Sequence, residues 1–234
     1  MDYKDYLKGH SGSNFFIKGK KELIGVFLSK IKKQNIKILN LGAGTGDEIS
    51  VLREYGKIYA IDINKDALKL IPKNLCFEKK VADACNLPYK SNFFDVVVSS
   101  EVFEHIKDDA KAVSEAKRVL KKNGYLIFTV PAFQLLYSSH DKALEHKRRY
   151  NKRRLSKLLS GFRDLKLYYW NSILFLPIAA MRLVKKNSKA EVDDVNMPKL
   201  INSLLYLLLK IETKFVKHKI PLPPGITIAG YCRK

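Results

Sequence analysis

The segment LNLGAGTGDEIS, residues 39 to 50, sets Gly42, Gly44 and Gly46 on alternate positions and follows them with Asp47 and Glu48. Glycines in such a turn let the backbone bend sharply and let a ligand approach it closely. A dinucleotide site of the G-x-G-x-x-G type needs its third glycine at position 47, where this chain has Asp. Asp47 and Glu48 would open the next helix, at the end that favours an anion. Two carboxylates there repel a pyrophosphate. No Gly-Lys-Ser/Thr follows, so a P-loop is excluded. What remains is a nucleoside ligand that lacks phosphate and carries a cation. Asp62 ends the next apolar run, where a carboxylate can bind both hydroxyls of a ribose. Its alternative role is to cap the helix after it.

A second reactive stretch is SSHDKALEHKRRYNKRRL. His140 and His146 can each serve as a base, because an imidazole titrates near neutral pH. The alternative is that His146 and Arg149 brace a loop through hydrogen bonds. His105, in FEHI, is a further candidate, or a structural histidine. Glu101 and Glu104 read as an acidic pair in a first helical turn. Lys147, Arg148, Arg149, Lys152, Arg153, Arg154 and Lys157 run on with no acid between them. They form either a solvated helix face or an anion cradle, since the planar fork of arginine binds two phosphate oxygens.

The elements that must position these groups alternate in type. Residues 14 to 33 read as an amphipathic helix, with Phe16, Leu23, Ile24, Phe27, Leu28 and Ile31 at near-helical spacing. IKILNLG is a short strand. TGDEISVLREYG reads as a helix closed by Gly56, KIYAIDIN as a second strand and KDALKLIPK as a helix. LCFEKKVADACNLP carries a third strand and FDVVVSSEV a fourth. KDDAKAVSEAKRVLKKNG reads as a long helix whose Lys-Lys-Asn-Gly end suits the dipole and a left-handed cap. YLIFTVP is a fifth strand, NKRRLSKLLSGF a helix, RDLKLYYW a sixth strand and GITIAGYCRK a last one. Such alternation predicts an α/β fold with a parallel sheet covered on both faces. Four parts follow: a helical cap (1–35), a core (36–172), a helical insert or lid (173–220) and a closing strand (221–234).

Taken together, ILNLGAGTGDEI, AIDIN, ADACNLPY and FDVVVSSEVFEHI resemble the class I S-adenosyl-L-methionine (SAM)-dependent methyltransferases, over roughly residues 20 to 172 plus the last strand. The resemblance implies a doubly wound, Rossmann-like sheet of seven mainly parallel strands, with the helical insert before the last. It implies SAM as cofactor and no metal. The methionine and ribose side would be lined by Asn40, Gly42, Ala43, Gly44 and Gly46, with Asp62 and Ile63 at the ribose hydroxyls. Asp83 and Ala84 would meet the adenine, although Asp83 could equally brace the turn before Pro88. Ser100 and Glu101 would border the methionine portion. The HKRRY stretch is also similar to that of a methyltransferase type 11-like subgroup with an Asp followed by His-x-Arg-Arg-Tyr, many of whose members act near lipid, quinone or glycan pathways. Asp141, His146, Arg148, Arg149 and Tyr150 match. Glu145 departs from it, standing where a glycine is common. By that resemblance His146 or His140 is the base, and His105, Arg149 and Tyr150 stand near the acceptor.

Methyl transfer from a sulfonium is an in-line displacement by the acceptor, and alignment does most of the work. A base is needed only for an acceptor proton of high pKa, such as that of a hydroxyl. The stretch after the fourth strand reads SSEVFEHI, not the Pro-Pro-aromatic run of enzymes that methylate base amines, and there is no Pro-Cys nucleophile. Three readings follow. The first is methylation, at oxygen, of a small-molecule or lipid- or glycan-linked acceptor. The second is an RNA methyltransferase using the basic stretch, and the third a SAM-binding protein without catalysis.

Charge and composition bear on partners. The net charge is +21 over 234 residues, a field that attracts polyanions such as nucleic acid, anionic lipid or phosphorylated carriers. The opening MDYKDYLKGH has no apolar signal core, and Cys76, Cys85 and Cys232 have neither metal nor disulfide spacing, so a cytoplasmic protein with reduced thiols is expected. In KLINSLLYLLLKIETKFVK, residues 199 to 217, polar positions Asn202, Ser203, Lys210, Thr213, Lys214 and Lys217 fall on one stripe and leave a wide apolar face. That face can bury itself against ILFLPIAAMRLV, in a dimer, or in the headgroup layer at the inner face of a membrane.

Overall fold

The computed structural model describes residues 14 to 190 and 198 to 234. Seven strands form one sheet: β1 (Ile36–Leu41), β2 (Gly56–Asp62), β3 (Glu78–Val81), β4 (Phe94–Ser100), β5 (Leu120–Pro131), β6 (Arg163–Trp170) and β7 (Thr227–Arg233). Their order is β3-β2-β1-β4-β5-β7-β6. The first five pair in parallel, and β7 runs antiparallel between β5 and β6. The order reverses between β1 and β4. A crevice therefore opens beyond the carboxyl ends of those two strands, where open α/β sheets take their ligands.

Side chains alternate across each strand, and the two faces form two apolar layers. On one face Leu39, Leu41, Val97 and Phe128 meet α4 (Asp109–Val119) and α6 (Lys152–Leu158) through Ala112, Ala116, Val119 and Leu155. On the other, Ile36, Ile38, Val96, Val98 and Ile127 meet α1 (Phe15–Leu28), α2 (Ile49–Leu52), α3 (Lys65–Leu70) and α8 (Lys199–Lys217). The remaining helices are α5 (Ser139–Ala143) and α7 (Phe175–Val184).

Several boundaries differ from the sequence expectation. The helix after the glycine turn is only Ile49–Leu52, and Gly56 opens β2 instead of closing a helix. A Cβ at Gly56 would stand 1.9 Å from the Ile36 carbonyl oxygen, so glycine is required there by the closeness of β1. The helix α4 stops at Val119, before Lys-Lys-Asn-Gly. Buried Leu120 turns extended to pair with Phe94, and Asn123, not Gly124, takes the left-handed conformation (φ 66°). A core contact has overridden a local stop signal.

Helix α8 lies along α1 and partly inverts the expected stripe. Its buried side carries Leu209 and Val216 but also Glu212 and Thr213. The Asn202 side chain accepts from the Phe15 amide (2.8 Å), Tyr206 is hydrogen-bonded to Glu22, and the Trp170 indole N–H donates to Thr213 (3.1 Å). Glu212 accepts from the Ser172 and Ile173 amides. The opposite side, Leu200, Leu204, Leu207, Ile211 and Phe215, is exposed and spaced as one helical stripe. The wide apolar face is thus half covered within the chain. Among the described residues no helix is long and apolar enough to cross a membrane.

Candidate active site

Gly42, Gly44 and Gly46 all have positive φ (69°, 50° and 89°), a conformation that side chains resist. A Cβ at Gly42 would stand 2.5 Å from Val102, the second residue after β4. The ends of β1 and β4 therefore touch through this glycine. Asp62, at the end of β2, accepts from the Gly44 amide (2.7 Å) and the Asn64 amide (2.8 Å), one on each carboxylate oxygen. It fixes the glycine turn while facing the crevice. It does not cap α3, because Asn64 does so by accepting from the Asp66 and Ala67 amides.

Lys20, on α1, is buried 3.5 Å from Glu48. Burial opposes the charge of both. The attraction between them, with a hydrogen bond from Ser100, nevertheless holds the Glu48 carboxyl down at about 2. Glu48, Glu101 and Asp47 together keep the Lys20 ammonium above its ordinary value. Glu48 is thus half of a buried ion pair and not a bare charge at a helix start. Lys20 went unremarked in the sequence, although its phase between Ile17 and Leu23 puts it on the apolar face of α1.

A cavity of about 1100 Å³ opens over the crevice, at the upper end of the size range of small-molecule sites. Gly42, Gly44, Asp62, Ile63, Asp83, Ala84, Ser100 and Glu101 line it, from the carboxyl ends of the first four strands and the turns after them. His105, His140, His146 and Arg149 line it as well, together with the apolar Leu174, Pro177, Ile178, Met181 and Leu205. Four expected residues do not line it. Asn40 and Ala43 are buried behind the turn, and Gly46 faces Ile49 and Ile71. Tyr150 is buried with its hydroxyl tied to Asp109 (2.8 Å) and the Phe103 carbonyl (3.0 Å), so it joins elements and does not line the cavity.

A methyltransferase-domain family model matches residues 39–128, from β1 through the glycine turn to β5. An uncharacterized protein of Methanocaldococcus jannaschii is 32% identical over 161 residues, covering 67% of each chain. The chain belongs to the class I SAM-dependent methyltransferases. The ubiquinone/menaquinone biosynthesis C-methyltransferase UbiE of Wigglesworthia glossinidia brevipalpis is 32% identical over 119 residues, 45% of this chain and about half (48%) of that protein. The fold matches phosphoethanolamine N-methyltransferase 2 of Haemonchus contortus in complex with SAM, with TM-score 0.62 and 16% identity, over 100% of this chain and 60% of that one. The cofactor of this family is SAM, and a cavity lined by Gly42, Gly44, Asp62, Asp83 and Glu101 suits a cationic nucleoside.

The methyltransferase cavity is also lined by part of a buried charge network. His146 Nδ1 lies 2.9 Å from Asp141 Oδ1. Arg149 Nε donates to the same carboxylate at 2.8 Å, Arg182 Nη1 at 3.3 Å and the Ser138 amide at 2.9 Å. Burial would push Asp141 up, but the His146 hydrogen bond and the two guanidinium charges hold it well below the usual carboxylate range. Arg182 was missed in the sequence, where its signal is a single charge in the apolar run of α7. Glu145 takes φ 60°, so the turn that glycine favours forms here with a glutamate. The ring centroids of His105 and His146 are 4.6 Å apart, edge to face. Glu104 stands beside them, fully buried, and its two carboxylate oxygens lack a hydrogen-bond partner among the described residues. Burial and the Glu101 charge push its carboxyl well up.

Part of the basic run is engaged within the chain, while Arg153, Arg154 and Lys157 are exposed. Arg148 pairs with Asp109 (2.8 Å), Arg149 with Asp141, and Arg154 with Asp109 (3.4 Å). Lys152 sits 4.1 Å over the Tyr169 ring, and burial lowers its pKa. The acids that partner the three arginines come from elsewhere in the chain, so the run's own lack of acids misled.

Proposed function

We propose that this methyltransferase transfers the SAM methyl to a hydroxyl oxygen of an acceptor with a sizeable apolar part, a small molecule or the head of a lipid- or glycan-linked carrier. The observation that carries this reading is a mixed cavity lining, in which histidines and acids occur together with Leu174, Ile178, Met181 and Leu205. The apolar side chains offer burial to an alkyl or prenyl portion. The histidines and acids offer proton acceptors where a hydroxyl must lose its proton. The UbiE relative, named for ubiquinone/menaquinone biosynthesis, supports an apolar acceptor, although it is named for transfer to carbon. Helices α7 and α8, within the described residues 173 to 190 and 198 to 220, act in this reading as a lid.

The test is radiolabelled methyl transfer into fractionated lipid, RNA and small-molecule pools, with the product bond identified. Label in an ether or ester of an apolar compound is expected. Label in RNA alone would replace this reading by the RNA one, which rests on net charge. In that case neutralising Arg153, Arg154 and Lys157 should collapse both RNA affinity and its steep salt dependence. SAM binding with no transfer into any pool would favour a protein without catalysis. His146→Ala is expected to lower turnover while S-adenosylhomocysteine affinity stays near wild type.

The exposed stripe of α8 supports a further part of the reading, contact with an anionic membrane surface. Lys210, Lys214 and Lys217 flank Leu207, Ile211 and Phe215 on the same helix. A second copy of the chain is the competing occupant of that stripe.

A further inference from the structure

Glu104 follows β4 with its side chain wholly buried and both oxygens without a hydrogen-bond partner among the described residues. A carboxyl buried without partners is costly, and its persistence calls for something that completes it. One ligand atom each from Glu104, His105 and His146 lies within 4.8 Å of the others. Asp141 accepts from His146 Nδ1 and is itself clamped by Arg149 and Arg182, so Nε2 carries the lone pair offered to the cluster. A carboxylate behind the far ring nitrogen is the usual support of a metal-bound histidine.

Building on the hydroxyl-acceptor reading, we propose that Glu104, His105 and His146 hold one divalent first-row transition-metal ion, to which the acceptor hydroxyl also binds. Two imidazoles and a carboxylate suit manganese, iron, cobalt or zinc better than magnesium or calcium, which favour all-oxygen sets. Small side-chain movements bring such atoms to the roughly 2.0–2.2 Å typical of metal–ligand bonds. His105 and His146 line the cavity and Glu104 is buried outside its lining, so an acceptor in the cavity would meet the ion from the histidine side. A bound cation lowers the pKa of a ligating hydroxyl. That hydroxyl releases its proton to water, and an oxygen lone pair forms the bond to the methyl carbon. The carbon–sulfur bond breaks with its electron pair going to sulfur. The products are the methylated oxygen and S-adenosylhomocysteine. His146 then acts as a ligand and not as a base, and Asp141 is a positioning residue.

The full chain, stripped with EDTA and saturated with S-adenosylhomocysteine, is titrated with Mn²⁺ by electron paramagnetic resonance, and with Co²⁺ by visible absorption. No acceptor is required, so the result is separate from the choice of acceptor. One ion per chain is expected. Glu104→Gln and His146→Ala should abolish binding, and Asp141→Asn should weaken it by about 10- to 100-fold. All three should keep S-adenosylhomocysteine affinity within a few-fold, which shows that they fold. Failure of the wild-type chain to take up either ion while binding S-adenosylhomocysteine would overturn the inference. So would ion binding unchanged in all three variants, or methyl transfer at full rate by protein shown to be metal-free.

Discussion

Lys20 on the first helix and Glu48 beyond the glycine turn form an ion pair 3.5 Å long with both side chains buried. The pair ties α1 to the segment after the glycine turn. Removing one partner of a buried pair leaves an uncompensated charge, at a cost of roughly 3–5 kcal/mol. Lys20→Met should lower the urea midpoint accordingly, and Lys20→Met with Glu48→Gln should recover most of the loss. The folded carboxyl of Glu48 is held at about 2 against an ordinary 4.5. A depressed folded pKa stabilises fully above the unfolded value and is lost as pH falls through the folded one. Wild-type stability should therefore decline between pH 4.5 and 2, and the double variant should decline less steeply there. Equal slopes would remove the pair from this role.

Gly42 should tolerate no side chain. Gly42→Ala meets both the positive φ and the 2.5 Å approach of Val102. Left-handed strain alone is about 1–2 kcal/mol. A loss of S-adenosylhomocysteine affinity of at least 10-fold is expected by calorimetry, partly restored by adding Val102→Ala. Unaltered affinity in Gly42→Ala would show that the turn does not shape the cofactor site.

The Trp170 indole is fully buried, and its N–H reaches Thr213 on α8. Thr213→Val keeps the shape and removes the acceptor. An unsatisfied buried donor costs about 1–3 kcal/mol, so the melting temperature should fall by several degrees. Thr213→Ser should restore it.

Burial pushes up the thiols of all three cysteines, and Asp83 and Asp108 add to it at Cys85, but Cys76 and Cys85 are partly exposed while Cys232 is buried in the last strand. The thiolate is the reactive form. Native protein at pH 8 should react with a thiol reagent at Cys76 and Cys85, and at Cys232 only after denaturant is added. Mass spectrometry locates the label, and early labelling of Cys232 would show that β7 opens readily.

The exposed stripe of α8 should matter for lipid contact and little for folding. Wild-type protein should float with vesicles containing anionic phosphatidylglycerol at low salt, and Leu207→Asp with Ile211→Asp should cut flotation several-fold at unchanged melting temperature. Flotation unaffected by these changes, or by salt, would turn attention to a second copy of the chain, which sedimentation would detect.

The sheet and the glycine turn were legible in the sequence, because both depend on local chemistry. Short, nearly continuous apolar runs alternating with helical segments read as strands of a parallel sheet, and Gly42, Gly44 and Asp62 lie within one strand–helix–strand unit. The histidine cluster was legible only in pieces. Asp141, His146 and Arg149 stood close together in the chain, but their clamp by Arg182 and their approach to Glu104 and His105 span about forty residues in each direction. The stop at Lys-Lys-Asn-Gly was misread because Leu120 gained more by pairing with Phe94 than the helix gained from its cap.

The sequence by itself determined the α/β class, the order of strands and helices and the glycine turn with its acids, since these follow from side-chain period and backbone freedom over a few residues. Tertiary structure alone decided that Lys20 neutralises Glu48, that α8 buries Thr213 and exposes a leucine stripe, and that Glu104 lies beside two histidines without a hydrogen-bond partner among the described residues. Those outcomes depend on distances between segments far apart in the chain. Burial and Coulomb forces set them only after the sheet has brought the segments together.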